Sequence, residues 1–177
     1  MTHQDVPTVP ECCREIFSME ALIKQAKSRR ANWMNLPKEP GIYVVFWTQA
    51  DPPTFSDTSG QAKYAEAGSA LTLQAKWEGI TKEAATDILY FGRTGNSLKA
   101  RIRQLVRFGI GKAENHKGGE WLWQVEKIGT ANILVQGTPK SEVAAFENWL
   151  LDRFYKQHKN HPLANRDGPE GEERWSP

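Results

Sequence analysis

Glu147 sits where a carboxylate is out of place. Set Lys140 to His158 on a helical wheel at about 100° per residue, and Val143, Phe146, Leu150, Leu151 and Phe154 form the apolar face. Glu147 falls inside that face, four residues after Val143 and four before Leu151. Glu142 lies to the side and Asp152 on the opposite surface. A carboxylate among apolar neighbours is costly unless it is paired or holds a cation. Two readings follow: a structural salt bridge, or a working carboxylate. Arg101 repeats the pattern more weakly. Leu98, Ile102, Leu105 and Val106 make a buried stripe, Arg103 and Arg107 point away from it, and Arg101 stands at its edge. An edge arginine either snorkels to water or lays its planar guanidinium against a phosphate. Tyr43 and Tyr90 lie in β-branched and aromatic runs. Each reads first as a core residue with a satisfied hydroxyl. One pleat beyond Tyr90, Gly92 leaves room for a ligand or for close backbone.

Charge is distributed unevenly. Net charge is only +2, yet between Arg93 and Lys117 seven basic residues (Arg93, Lys99, Arg101, Arg103, Arg107, Lys112, Lys117) face one acidic residue, Glu114. That suits a polyanion, or a solvated helix face. His116 lies in the same glycine-rich stretch, Asn115-His116-Lys117-Gly118-Gly119, either as a surface histidine or as one that grips phosphate. His158-x-x-His161 is interrupted before Pro162, and adjacent Cys12 and Cys13 lack zinc-ligand spacing. The sequence contains neither G-x-G-x-x-G nor a Walker A pattern, so a nucleotide-cofactor fold has no support.

The elements that must position these residues read as follows. Residues 1–13 form a tail. Ser18 caps a helix to about Ala31. Gly41 to Trp47 is a buried strand. Residues 50–68 form a long loop and Leu71 to Ala85 a helix. Ile88 to Thr94 is a second strand. A turn at 94–97 opens a helix to about Phe108, ended by Gly109 and Gly111. Trp121 to Val125 is strand or short helix, and Ile133 to Gln136 is a third strand. Pro139 opens a helix to about His158. The order favours an α+β layer fold over a doubly wound sheet.

With 177 residues, the chain is long enough for one domain with a real core. At 39% hydrophobic and 25% charged it is neither disordered throughout nor fibrous. No apolar run approaches the roughly 18 residues of a membrane span, and Met1 to Pro10 shows no signal-peptide core. Two adjacent cysteines make no disulfide framework, so a reducing cytoplasm is the expected compartment.

Gly41-Ile42-Tyr43, Tyr90-Phe91-Gly92, Leu98-Lys99-Ala100-Arg101, Glu147 and Pro162-Leu163-Ala164-Asn165, in that order, resemble the GIY-YIG nuclease family. Leu36-Pro37-Lys38-Glu39-Pro40 is similar to the entry to that family's first strand. The resemblance implies a small three-stranded antiparallel sheet flanked by helices, here with an N-terminal helix and a long insertion between the first two strands. Residues 36–167 would be the nuclease domain, with 50–86 as the insertion. Residues 1–35 would be an N-terminal tail and helix, and 168–177 an acidic C-terminal tail. The chain departs from the family in three ways: 47 positions separate Tyr43 from Tyr90, Phe91 replaces an aliphatic residue, and one extra residue precedes Leu98.

The resemblance further implies a metal-dependent endonuclease using Mg²⁺ or Mn²⁺. Its substrate would be DNA, with RNA left open, and no membrane. Glu147 would hold the metal, and Tyr43 would be the candidate general base. Arg101 would stabilise the transition state, with Tyr90, His116 and Asn165 completing the catalytic set. Arg93, Lys99, Arg103, Arg107, Lys112 and Lys117 would bind nucleic acid. Positive charge near Tyr43 is expected to lower its phenol pKa towards a useful range. The competing function is a nucleic-acid-binding module of the same fold that does not cut.

Overall fold

The computed structural model describes residues 14–28, 33, 35–58, 68–112 and 119–165. Four strands, β1 (Arg14–Ser18), β2 (Gly41–Phe46), β3 (Ile88–Thr94) and β4 (Asn132–Gly137), form one antiparallel sheet in the order β1-β4-β2-β3. The helices are α1 (Met19–Lys27), α2 (Ala70–Glu83), α3 (Leu98–Gly109) and α4 (Val143–His158).

The expected three-stranded sheet is therefore corrected to four strands. The extra one is β1, which pairs with β4 from Arg14↔Gln136 to Ser18↔Asn132. It is an edge strand with four of its five residues exposed, Ile16 among them. Only Phe17 packs against the core, and exposed Ile16 beside it breaks any alternation, so period-2 reasoning has nothing to detect. Its pairing rests on backbone hydrogen bonds to a strand far along the chain. The sheet thus extends N-terminal of position 36.

The other elements follow from local chemistry. Ser18 caps α1 by accepting from the Ala21 N–H (3.4 Å). Ser69 does the same for α2 through Thr72 (3.1 Å), and Asp57 accepts from the Ala70 N–H (2.7 Å). Pro139 lies in the turn that leads into α4 and accepts from Glu142 and Val143, so that helix begins four residues later than the proline. Trp121–Gln124 is a short 3₁₀ helix. Loop residues 54–56 bond back to 124–126, including Ser56 N–H to Gln124 O (2.9 Å) and Glu126 N–H to Thr54 O (2.8 Å).

Each sheet face has its own cover. Tyr43 and Val45, Tyr90 and Gly92, Ile133 and Val135 share one face by register. The buried side chains of α1 and α3, including Met19, Leu22, Leu98, Ile102 and Leu105, join the core on that side. Phe91 lies on the other face and meets Phe154 of α4 edge-on at 6.0 Å between ring centroids. No helix among the described residues is long and apolar enough to cross a membrane.

Candidate active site

Strand order explains how residues on opposite faces can meet. β3 is the outer strand beside β2, and Tyr43 stands opposite Gly92 in the register. A Cβ at Gly92 would lie 2.3 Å from Tyr43 Cζ and 2.5 Å from its hydroxyl. The gap read at Gly92 is thus filled by the Tyr43 ring, which crosses β3 towards the open edge of the sheet. Tyr90 lies beside it, 5.9 Å between centroids and tilted 57°.

Arg101 enters from the first turns of α3. Ser97 caps that helix, and the carbonyls of Glu39 and Pro37 accept from the Leu98 and Lys99 N–H groups (3.0 and 2.7 Å). The segment before β2 therefore anchors the helix that carries Arg101 to the strand that carries Tyr43. From the other face, Glu147 of α4 meets Arg93 of β3, with Nε to Oε2 at 2.8 Å. The side chains are 33% and 14% exposed, so this pair is reachable from solvent but not bathed in it.

The electrostatics form one coupled group. Burial pushes the Glu147 carboxyl up, while the Arg93 and then the Arg101 guanidinium pull it down. Tyr43 is fully buried, and burial raises its phenol above the usual range. Arg101 opposes this by charge, Tyr90 and Arg101 oppose it by hydrogen bonding, and Glu147 adds to it. The expected lowering is corrected: desolvation outweighs the neighbouring cation, so the hydroxyl keeps its proton at neutral pH. Tyr90 is raised further, by burial first and then by Tyr43.

Other expected residues divide. Asn165 is buried, and its carboxamide is spent on one backbone unit: Oδ1 accepts from the Phe91 N–H and Nδ2 donates to the Phe91 carbonyl, both at 2.9 Å. It fixes the outer edge of β3 between Tyr90 and Gly92. Lys99, Arg103 and Arg107 recur every four residues, a single stripe along α3, with Arg103 exposed and Lys112 exposed just beyond the helix. His116 and Lys117 lie outside the described residues. His158 and His161 serve packing: His158 stacks near Phe154 (4.1 Å), and His161 near Tyr155 (5.1 Å).

Lys76 of α2 is the residue that the sequence reading missed. It is 1% exposed, and its Nζ donates to the carbonyls of Pro162 (3.0 Å), Leu163 (3.0 Å) and Asn165 (2.8 Å). It also lies 4.9 Å from the centroid of the Trp121 ring. Burial lowers its pKa to about 7. Its signal was present: Leu73, Lys76, Trp77 and Ile80 are spaced i, i+3, i+4, i+7, so a charge falls inside an apolar stripe just as at Glu147.

Among the described residues, no group of three His, Cys, Asp or Glu side chains is placed to hold a metal. Glu147 offers one hard oxygen donor set, shared with Arg93. Such a set fits a cation that keeps most of its shell as water and phosphate oxygens, as Mg²⁺ does, and does not fit an all-protein cage. Comparisons with family models, with curated proteins and with solved structures give no match to this chain.

Proposed function

We propose that the protein is a metal-dependent endonuclease that hydrolyses phosphodiester bonds in DNA, at the edge of β3. The observation that carries this reading is the convergence of Tyr43, Tyr90, Arg101 and Glu147. These four come from separate elements, and charge and hydrogen bonding couple them. Packing alone does not call for two tyrosines, two arginines and a carboxylate at one edge.

In the proposed reaction a water oxygen bonds phosphorus and the bond to the leaving oxygen breaks. Glu147 would hold a Mg²⁺ or Mn²⁺ ion, which would supply positive charge against the charge that develops in the reaction. Arg101 shares the negative charge that develops on phosphorus. Arg93, held against Glu147, lies where it can turn to a phosphate. Tyr43 is the candidate proton acceptor, and its raised pKa makes it active only as pH rises. The α3 stripe of Lys99, Arg103 and Arg107 gives the backbone of the nucleic acid a sequence-independent surface.

A second reading, a binding module that does not cut, is favoured by one observation. The Arg93 contact engages Oε2, one of the two carboxylate oxygens that a cation could use. One assay separates the two. Purified protein is incubated with single-stranded, duplex and branched DNA in Mg²⁺, Mn²⁺ or EDTA, beside Glu147→Ala. Metal-dependent cutting lost in the variant supports the nuclease. Binding without cutting under every condition supports the module.

A further inference from the structure

We propose that Lys76 is a positioning residue for the candidate active site: it gathers the turn at 162–165, and that turn holds β3 in place through Asn165. The proposal rests on the nuclease reading for its consequence, and on geometry alone for the linkage.

A lysine this buried is expensive, and its position needs a purpose. An ammonium has three protons, and here Nζ donates to three carbonyls of one turn. The Trp121 ring supports the same charge. Without the lysine, the Leu163 and Asn165 carbonyls would lose this donor at a buried point, and the Pro162 carbonyl would keep only the Asn165 N–H (3.0 Å). The turn is in turn fastened to the sheet. Ala164 N–H donates to Leu89 O (2.9 Å), and the Asn165 carboxamide exchanges two hydrogen bonds with Phe91. Phe91 stands between Tyr90 and Gly92, the residue over which the Tyr43 ring lies.

The connection thus runs from α2 through the turn to both tyrosines. α2 is part of the long insertion between β2 and β3, so the insertion returns to brace the second of the strands it separates. Lys76 has no path to substrate. Its effect on chemistry would pass entirely through the placement of Tyr90 and Tyr43, where a displacement of about 1 Å costs on the order of 10²-fold in rate.

The test uses the full chain with Lys76→Met, Asn165→Leu and the double variant. Backbone amide exchange at Phe91 reads the linkage without any activity. It should accelerate at least about tenfold in folded Lys76→Met. Single-turnover cutting should fall about 10- to 100-fold, while DNA affinity stays within about twofold. Because both residues act on one strand, the double variant should cut no more slowly than Asn165→Leu alone. Unchanged Phe91 exchange in folded Lys76→Met overturns the proposal, as do rate effects that simply add. If Lys76→Met does not fold, the wild-type Lys76 ammonium protons decide, read below pH 7 where the amine is charged. Slow exchange with water supports the three-carbonyl clasp, and fast exchange overturns it. A wild-type protein that cuts no DNA would remove the nuclease reading, while the Phe91 result would still judge the linkage.

Discussion

Adding one methyl group at Gly92 is a severe perturbation of the candidate site. In Gly92→Ala the new Cβ would lie 2.3 Å from Tyr43 Cζ, 2.5 Å from the hydroxyl and 2.7 Å from Cε2. Ordinary contact begins near 3.4 Å, so the ring end must move by 3.4 − 2.3 = 1.1 Å. Tyr43 is fully buried and packed beside Tyr90, so it cannot swing into solvent. Overpacking of this kind costs about 1–3 kcal/mol. At about 2–4 °C per kcal/mol for a chain of this size, the melting temperature should drop by roughly 2–12 °C. The displacement also disturbs the hydroxyl's hydrogen bonds with Arg101 and Tyr90, so single-turnover cutting should fall by about 10²-fold or more. Gly79→Ala is the control. Its Cβ would meet only Asn160 Nδ2, at 3.4 Å, and it lies inside α2. It should leave cutting unchanged and stabilise by up to about 1 kcal/mol through helix propensity. A Gly92→Ala protein that melts and cuts like wild type would refute the placement of Tyr43 over Gly92.

Four further outcomes are expected. Glu147→Gln should abolish metal-dependent cutting and leave DNA binding within a few-fold, as read by filter binding beside a cleavage gel. If Tyr43 is the base, the wild-type rate should climb about tenfold per pH unit from pH 6 to 9, because its phenol is raised by burial and only the phenolate accepts a proton. Tyr43→Phe should flatten that climb, whereas an unchanged profile moves the base elsewhere. Lys76 has a folded pKa of about 7 against 10.5 when solvated, so the unfolded chain binds the extra proton between those values. Stability is therefore lost as pH falls from 10.5 towards 7, and denaturant titrations should show that fall in wild type but not in Lys76→Met. Arg103→Ala should weaken DNA binding and reduce the salt slope of log K by about 0.9 without changing the single-turnover rate.

Much of the architecture was legible because burial and periodicity coincide there. β2 and β3 are largely buried on both faces, and Ile42 to Phe46 and Ile88 to Phe91 read as apolar runs rich in β-branched and aromatic residues. α3 and α4 carry their apolar stripes in single faces, which is why Arg101 and Glu147 stood out. β1 was illegible because its register comes from β4, far away in the chain, and its exposed face has no apolar rhythm. The sign of the Tyr43 shift was illegible for a related reason. The charge of Arg101 is visible in the sequence, but the complete burial that outweighs it is a property of the assembled sheet. Lys76 is legible in principle, because its charge falls inside the apolar stripe of Leu73, Trp77 and Ile80, the same signal that marks Glu147.

The separation of β2 from β3 has a consequence for how the chain folds. In a hairpin these partners would meet early, across a few residues. Here residues 47–87 intervene. Closing a loop about ten times longer costs roughly 2 kcal/mol more in chain entropy, paid before any contact between the strands rewards it. Local pairs such as β3 with α3 carry no such handicap, so the transition state for folding should contain them while β2–β3 pairing is incomplete. On a ribosome the order is stricter still. The turn at 162–165 emerges 74 residues after Phe91, and Asn165 locks that residue only then. The outer edge of β3 would therefore be fixed only after α3, β4 and α4 had been made, and a nascent chain that had passed only β3 would lack that clasp.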